Sequence, residues 1–518
     1  MNAIFLMLLF LGWAMPQAAA NEWENPSSPQ LKMLYNSLDP TSIPQHLAFY
    51  ELYGQTSEGQ RALDDACTLL CGQRGMHQVR SILQHNLEGA VEGLVAIVNK
   101  PPNEASLELS NEQLALIDQL ASHLPNRRLK GFYAKTEDDV LRLPPEEIDL
   151  ARGVLLSQLG EDPQALRKAK SYEASIDLMA LQILARLPEQ ASPRAKIRAI
   201  NHYIFEELGF RFPPHSTFAK EIDLYSFLPS VLDSRRGVCL GVSILYLCLA
   251  QRLNLHLEII TPPGHIFVRW REGDKTINIE TTARGIELLD EEYLGIDTRA
   301  LQERNIKETI GMAHVNQGSL YWETEQYDLV KKAYEKAAPY LPEDKLLTLL
   351  TGYVNVILGN DQEGKKQLSE VADYISEEAV SKETGPEDYL QGNCSAESLK
   401  AIFLRVDKKR ESLLEKKKAL ETALAKYPKF REGLFSLAGT WLQLHRTQEA
   451  LACLNQFHAI DPNNAAVEYY LAAIYAERRD YNQAWHHLHQ AETLVRAREH
   501  FPKSLSELKR ELATLSPE

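Results

Sequence analysis

Three residues with the chemistry of an acyl-transfer site, Cys239, His265 and Glu280, lie within 42 residues of one another. A thiolate attacks a carbonyl carbon, an imidazole moves the proton, and a carboxylate orients the imidazole. Cys239 opens an apolar segment typical of a helix, His265 opens a strand-like run, and Glu280 lies on the strand that folds back. The pattern predicts a Cys–His–Glu thiol site.

The residues before Cys239 favour an anion at this position. Gly237 and Val238 put the sulfur in the first turn of the predicted helix, where unpaired N–H groups and the helix dipole attract negative charge. Arg235 and Arg236 add positive charge just upstream. A reactive thiol needs this kind of local field.

The register of the predicted hairpin brings His265 close to Glu280. If the turn is centred at 273–274, paired residues have numbers that sum to 547, so that Phe267 faces Glu280 and His265 faces Thr282. His265 and Glu280 are then diagonal neighbours on one face, roughly 7–8 Å apart at Cβ. A glutamate side chain spans that separation to a ring nitrogen.

Other residues are alternatives for the supporting roles. Asn278 lies on the same face and is the second candidate for orienting the imidazole. The backbone N–H of Cys239 is the default oxyanion donor, and Tyr225 is the other candidate. Taken singly, the cysteine could be a small helix-packing residue and the histidine a satisfied strand histidine, so the hypothesis depends on their combination.

The stretch VLDSRRGVCLGVSILYLCLAQRLNL, followed by PPGHIFVRW and INIETT, resembles the core of the bacterial transglutaminase-like superfamily. Within it the SirB-type branch, often joined to tetratricopeptide repeats, is the most similar. The resemblance covers about 145–290 and implies a papain-like core in which Cys239 is the nucleophile and His265 the base. Glu280 stands where an aspartate is usual, so its longer side chain must still reach the ring. Some members of this branch lack the cysteine, which this chain keeps.

The C-terminal part of the chain repeats with a period of 34 residues. Ala438 and Ala472 share one position of the period, and Ala450 and Ala484 share another. Small residues at repeated positions let paired helices approach closely, as in tetratricopeptide repeats. The units expected are 311–344, 345–378, 431–464 and 465–498. A half-unit precedes 428, and the segment 379–410 interrupts the series.

The fold class expected is therefore α+β and mostly helical. It combines a helical N-terminal region of unassigned role, a transglutaminase-like (papain-like) core and a repeat solenoid. The expected divisions are 1–20, 21–145, 146–310 and 311–518. The apolar run 3–15, followed by three alanines, predicts a signal peptide over 1–20. We expect a mature chain from Asn21 that is periplasmic or secreted and has no integral membrane segment.

Charge and motif content exclude several other functions. The formal charge of −15 argues against a nucleic-acid partner, because phosphate binding needs a basic face. We expect no cofactor and no metal, and the histidines of 485–489 are predicted to be solvated on a repeat helix. The other five cysteines are expected to be buried or idle.

Two function hypotheses from different classes follow. The first is an exported thiol enzyme, a cysteine protease, amidase or acyltransferase. Cys239 would form a thioester that is resolved by hydrolysis or by an amine, and the repeats would recruit a protein or peptide partner. The alternative is a non-catalytic repeat scaffold that carries a degenerate transglutaminase-like domain. A purely structural protein of the cell envelope is a third reading, supported only by export and repeats.

Overall fold

The computed structural model describes residues 27–86, 96–97, 100–104, 108–214, 219–273, 275–407 and 409–517. The chain divides into two compact units, Met1–Val95 and Ala96–Glu518. The signal peptide predicted over 1–20 lies outside the described residues. The finer domain boundaries expected from the sequence stay predictions.

The described part of the first unit is helical. Its small apolar core joins Leu31, Phe49 and Ala62, one from each helix. The Ser42 hydroxyl accepts the backbone N–H of Gln45 and so caps the second helix. The helices are α1 (Ser28–Asn36), α2 (Ile43–Tyr53) and α3 (Ser57–Asn86).

Helices also form the first part of the second unit, where they support the helix that begins at Cys239. Buried charges link two of them to the 3₁₀ turn Pro125–Arg128: the Arg252 Nε donates to Asp177 Oδ1 at 2.6 Å, and the Arg127 Nη2 donates to Asp177 Oδ2, also at 2.6 Å. Removing one partner of such a buried network leaves an uncompensated charge, so the network fixes the helix positions. The helices are α4 (Asn111–Leu120), α5 (Glu137–Leu141), α6 (Leu150–Leu159), α7 (Pro163–Leu184), α8 (Pro193–Asn201), α9 (Leu228–Ser234) and α10 (Cys239–Arg252).

A small antiparallel sheet follows α10. Within the described residues its strands are β1 (Glu258–Thr261), β2 (Phe267–Glu272), β3 (Lys275–Ile279) and β4 (Gln302–Arg304), in the order β3-β2-β1-β4. Strands β2 and β3 pair Val268 with Ile279 and Glu272 with Lys275. Each pair sums to 547, so the predicted register of the hairpin is confirmed.

The regular ladder ends just short of the predicted site residues, and the expected strand limits are wrong by one or two residues. His265 lies two residues before β2, because its backbone N–H closes a turn onto the Pro262 carbonyl at 3.0 Å. Glu280 follows β3, and its backbone N–H donates to the Ile286 carbonyl at 2.9 Å. Both residues therefore lie at the open end of the hairpin, opposite its turn.

Helix pairs fill the rest of the chain. Each of the four repeat units expected from the 34-residue period corresponds to two consecutive helices joined by a short turn, although the first helix of the unit 311–344 begins earlier, at Ile306. The half-unit before 428 is a single helix, and two short helices occupy the interrupting segment. The helices are α11 (Ile306–Glu323), α12 (Tyr327–Ala337), α13 (Lys345–Ile357), α14 (Asp361–Ser369), α15 (Gly385–Leu390), α16 (Ala396–Phe403), α17 (Arg410–Lys426), α18 (Arg431–Gln443), α19 (Thr447–Ile460), α20 (Ala465–Glu477), α21 (Tyr481–Arg496) and α22 (Lys503–Leu515).

The repeat helices contact the core directly. The segment Ala219–Ser226 packs on α11, where the Asn316 amide donates to the Ser226 hydroxyl at 2.7 Å. Arg405 forms an ion pair with Asp223 at 2.6 Å in the same segment. None of the described helices combines the length and the apolar character that a membrane crossing requires.

Candidate functional site

Cys239 is the first residue of α10, as the sequence predicts. The N-cap is Val238, whose backbone is extended and whose N–H donates to the Tyr225 carbonyl at 3.1 Å. Close packing fixes this start, because a Cβ on Gly241 would lie 2.3 Å from the Tyr225 carbonyl oxygen. The thiol is partly exposed, while almost the whole remainder of α10 is buried. The helix thus presents one sulfur atom at its positive end.

His265 and Glu280 form a direct hydrogen bond. The distance from His265 Nε2 to Glu280 Oε2 is 2.7 Å. The His265 side chain is 27% exposed and that of Glu280 is 6% exposed, so the ring is accessible while the acid is enclosed. The Cys239 side chain lies close enough to the His265 ring to help raise the pKa of that ring. The structure therefore brings together all three residues predicted from the sequence.

The carboxylate of Glu280 is fixed by four hydrogen bonds. Oε2 accepts from His265 Nε2 and from the Tyr293 hydroxyl, the latter at 2.8 Å. Oε1 accepts from the Thr282 backbone N–H at 3.0 Å and from its hydroxyl at 2.5 Å. A carboxylate held at both oxygens has one orientation, which it passes on to the imidazole.

The electrostatics of the pair favour the charged forms of both groups. Burial disfavours the imidazolium, but hydrogen bonds to Cys239 and Glu280 and the Glu280 charge outweigh it and raise the pKa of His265 to about 10. Burial likewise disfavours the carboxylate, but hydrogen bonds from His265 and Thr282 outweigh it and lower the pKa of Glu280 to about 2. At neutral pH the ring is an imidazolium that faces a carboxylate.

Tyr293 completes the site and was missed by sequence reasoning. Its ring stacks on His265 at 5.9 Å between centroids and on Phe267 at 4.2 Å. Burial and the hydrogen bond to Glu280 raise the pKa of its hydroxyl, which stays a donor. The residue comes from the irregular segment after β3, and no periodicity marks it. Thr282 lies two residues after the acid in sequence, and its backbone N–H and hydroxyl both donate to Glu280.

A buried hydroxyl pair joins the cysteine helix to the acid. Ser243, one turn into α10, lies 2.9 Å from the Thr281 hydroxyl, and both side chains are buried. Thr281 directly follows Glu280. This contact sets the spacing between the helix that carries the thiol and the turn that carries the carboxylate.

Asn278 has a different role from the one expected. Its Oδ1 accepts from Arg269 Nε at 2.7 Å, and its amide donates to the Leu288 carbonyl and to Asp290. These bonds hold the side chain against the loop after β3, so the prediction that it could orient the imidazole is wrong. Asn278 lies on the expected face of the sheet, but its side chain is bound to the buried Arg269, the residue that pairs with it on the facing strand.

The two arginines upstream of the cysteine differ in their surroundings. The Arg235 guanidinium donates to the backbone carbonyls of Leu208 and Lys100, at 3.0 and 2.8 Å. Arg235 itself has φ of 53°, a left-handed conformation that ends α9. Arg236 instead lines an open cleft beside Thr282.

Cys67, Cys248 and Cys394 are buried, as expected, and Cys453 is half-buried, while the Cys71 side chain lies outside the described residues. Burial raises the pKa of Cys248 and of Cys394, and it raises the pKa of Cys453 to about 11. Cys248, on the same helix as Cys239, is fully buried. These groups resist ionisation, so Cys248 serves as an internal reference for a thiol that is both buried and slow to react.

The histidines of 485–489 have mixed environments. His486 is exposed, but His487 is 4% exposed, so the prediction that these histidines are solvated is wrong for that residue. The His487 Nδ1 lies 2.8 Å from one oxygen of the buried Glu468, and the His458 Nδ1 lies 2.5 Å from the other. The three side chains also present ligand atoms within 4.8 Å of one another, a spacing open to a metal ion. Glu468 and His487 are buried because adjacent repeats pack there, whereas the His458 side chain is 30% exposed.

Residues 170–309 match the transglutaminase-like superfamily. The matched segment contains α10, the sheet and all three site residues. It also covers most of the range for which the sequence motifs gave the resemblance. The core therefore carries a transglutaminase-like domain.

Curated relatives match a short part of the chain. F-box only protein 21 of Mus musculus is 30% identical over 79 residues, which is 14% of this chain and 12% of that protein. The Homo sapiens protein of the same name is 29% identical over the same length. The chain thus spans only 12% of the length of these relatives.

Solved structures match the helical parts weakly. MamA from Desulfovibrio magneticus RS-1 is 14% identical, with a TM-score of 0.20 over 36% of this chain and 96% of that one. TTC0263, a tetratricopeptide-repeat protein of Thermus thermophilus, is 18% identical, with a TM-score of 0.20 over 39% and 97%. Scores this low support no inference about function.

Proposed function

We propose that this protein is a transglutaminase-like thiol enzyme that acts on carboxamide or peptide bonds, with Cys239 as nucleophile, His265 as acid–base and Glu280 as the residue that orients His265. The observation that carries the proposal is the 2.7 Å contact between His265 Nε2 and Glu280 Oε2, made by a ring that also meets a thiol at a helix start. We also propose export, on the apolar N-terminal run, and membership of the SirB-type branch.

The reaction that we propose starts from a Cys239 thiolate beside a protonated His265. The Cys239 thiolate attacks the carbonyl carbon, and the tetrahedral intermediate collapses as the C–N bond breaks. The His265 imidazolium gives its proton to the departing amine. Water or a second amine then attacks the thioester, loses its proton to His265 and releases the thiolate. Glu280 keeps one imidazole orientation through both steps.

The contact with Glu280 supports one assignment of the two ring nitrogens. Glu280 engages Nε2, so Nδ1 is the nitrogen that serves the thiol. The Cys239 backbone N–H, in the unpaired first turn of α10, is the group we propose for the oxyanion. Tyr225 contributes its carbonyl to the helix start, and its hydroxyl stays the alternative donor for the oxyanion.

The repeats are proposed to recruit a protein or peptide partner. Stacked helix pairs present an extended surface that suits this task. Hydrolysis is favoured slightly over cross-linking, because cross-linking requires a site that excludes water, and the His265 ring is partly exposed.

Thiol labelling tests the catalytic proposal. Iodoacetamide, followed by peptide mapping, is expected to modify Cys239 well below pH 8 and at least about 100-fold faster than Cys248, because the thiolate is the reactive form. The variant Cys239→Ala should remove the fast phase and leave slow labelling elsewhere. Equal, slow modification of Cys239 and the other thiols would contradict the enzyme and favour the non-catalytic repeat scaffold.

A further inference from the structure

A cationic cleft lies beside the acid member of the site. Arg211, Arg236 and Arg284 line a cleft of about 400 Å³ together with Thr282. The cleft also includes Phe212, an apolar side chain that is 40% exposed. Thr282 donates both of its hydrogen bonds to Glu280, so the cleft and the proposed catalytic site share a residue.

Backbone contacts hold the arginines in place. The Arg211 N–H donates to the Arg235 carbonyl at 3.0 Å, and the Gly237 N–H donates back to the Arg211 carbonyl at 3.1 Å. The Arg211 guanidinium donates to the Phe205 and Phe210 carbonyls. One arginine is therefore fixed against the segment that leads into the cysteine helix.

The third arginine ends the turn that begins at Glu280. Arg284 is exposed and has φ of 63°, the left-handed conformation that closes the turn Thr281–Ala283. The Asn201 amide donates to the next carbonyl, that of Gly285, at 3.0 Å. The turn thus carries the acid at one end and a cation at the other.

Like charges crowd in this cleft. Burial and the positive charges of Arg284 and Arg236 lower the pKa of Arg211. Glu206 offsets this only partly, and its carboxylate makes a hydrogen bond with His202 instead. Three guanidinium groups that repel one another are stabilised by any anion that enters between them.

The cleft is close to the thiol. Arg236 precedes Cys239 by three residues, and an extended chain of that length spans at most about 11 Å. A peptide whose carbonyl lies at the sulfur reaches the cleft within about three residues. The chain as a whole has a formal charge of −15, so this positive group is local and acts at short range.

We propose that the cleft binds a carboxylate of the substrate, so that the substrate is a peptide or protein segment with an acidic group within about three residues of the bond attacked by Cys239. The carboxylate belongs either to an Asp or Glu side chain or to a chain terminus. Arginine forks bind carboxylates in a bidentate manner, and Phe212 offers an apolar wall for the same segment. This inference rests on the proposed function.

Two alkylating agents that differ in charge test the cleft on the full chain. The rate of Cys239 labelling by iodoacetate is divided by the rate with neutral iodoacetamide. We expect Arg236→Gln and Arg284→Gln each to lower this ratio about threefold, the effect of one unit charge at roughly 6–8 Å in a water-like dielectric. The matched control is Arg410→Gln, an exposed arginine of a repeat helix, which should leave the ratio unchanged.

Protection of Cys239 from iodoacetamide then separates the two sources of carboxylate. One peptide is capped at both ends and carries glutamates, a second has glutamines instead, and a third has glutamines and a free C-terminal carboxylate. We expect the first or the third to slow labelling of the unmodified protein at least threefold more than the second. The advantage should disappear in Arg236→Gln.

The outcomes distinguish the two proposals. Fast labelling of Cys239 with a charge ratio that neither arginine variant changes would overturn the acidic substrate and leave the thiol enzyme standing. Equal protection by the three peptides would overturn it too. Slow labelling of Cys239 by both reagents would overturn the enzyme itself.

Discussion

Two His–Glu clusters, one in the core and one in the repeats, share a hydrogen-bonding pattern but differ in what surrounds the ring. In the core, Glu280 accepts from His265 at 2.7 Å. In the repeats, Glu468 contacts His458 at 2.5 Å and His487 at 2.8 Å. The core ring meets a thiol at a helix start, whereas the repeat carboxylate lies fully buried between helices and contacts two imidazoles.

This difference shows which features make a His–Glu pair reactive. A carboxylate that orients an imidazole is common to both clusters, so the pair alone predicts nothing about reactivity. The nucleophile and the adjacent cleft occur at Glu280 and His265. Exposure of a ring does not separate the clusters, because the His265 side chain is 27% exposed and that of His458 is 30% exposed. The repeat cluster satisfies buried polar groups and thereby fixes how two repeats pack.

The largest effect on Cys239 labelling is expected from a substitution of His265. His265→Asn should slow iodoacetamide labelling of Cys239 about 100-fold, because the proton-transfer partner and the positive charge beside the sulfur are both lost. The matched change in the repeats, His487→Asn, should leave that rate unchanged. Labelling rates at pH 7.5 measure both. A slow rate in His487→Asn, or a fast one in His265→Asn, would remove the distinction between the clusters.

Glu280→Gln should lower the labelling rate about tenfold at pH 7.5. Without the carboxylate, the pKa of His265 falls from about 10 toward its ordinary 6.5, and only about a tenth of the rings stay protonated. Titration of the His265 ring protons by NMR measures the shift. An unchanged titration in the variant would show that Glu280 does not set the charge of the ring.

The same pair links stability to pH. Because the pKa of His265 is raised from 6.5 to about 10, its contribution is full below about pH 6.5 and is lost as pH rises toward 10. Because the pKa of Glu280 is lowered from 4.5 to about 2, its contribution is full above about pH 4.5 and is lost as pH falls toward 2. Urea unfolding should therefore show the largest gap between the protein and Glu280→Gln between about pH 4.5 and 6.5.

In the repeats, Glu468→Gln should cost about 1 kcal/mol in the free energy of unfolding, since an amide replaces a buried carboxylate that accepts from two imidazoles. Cys239 labelling should keep its rate. Urea unfolding and labelling of the same sample separate the two readouts. A variant that loses labelling but not stability would assign the repeat cluster a part in the reaction.

The smallest effect is expected from Tyr293→Phe. The change removes the hydrogen bond to Glu280 Oε2 and keeps the stack on His265, so that one of four bonds to the carboxylate is lost. Labelling should slow about threefold or less. A loss as large as that of Glu280→Gln would mean that the tyrosine, rather than the turn at Thr282, positions the acid.

The structural features that depend on local sequence patterns could be predicted from the sequence. The helix start at Cys239 follows from an apolar run, and the register of β2 and β3 follows from the position of the turn. That register places His265 in contact with Glu280. The partners Tyr293 and Arg211 come from irregular segments, which have no periodicity to read. His487 was misjudged because its burial depends on the neighbouring repeat, a tertiary effect that a single helix does not reveal.

The segment Ala219–Ser226 touches the cysteine helix on one side and a repeat helix on the other. In a fragment that stopped at residue 310, Ser226 would lose its hydrogen bond with Asn316, and Asp223 would lose its ion pair with Arg405. The segment that supports the cysteine helix would then be exposed to water. Loss of activity on truncation therefore cannot be attributed to lost recruitment alone. Point substitutions on the outer surface of the solenoid can test partner recruitment without removing the support of the cysteine helix.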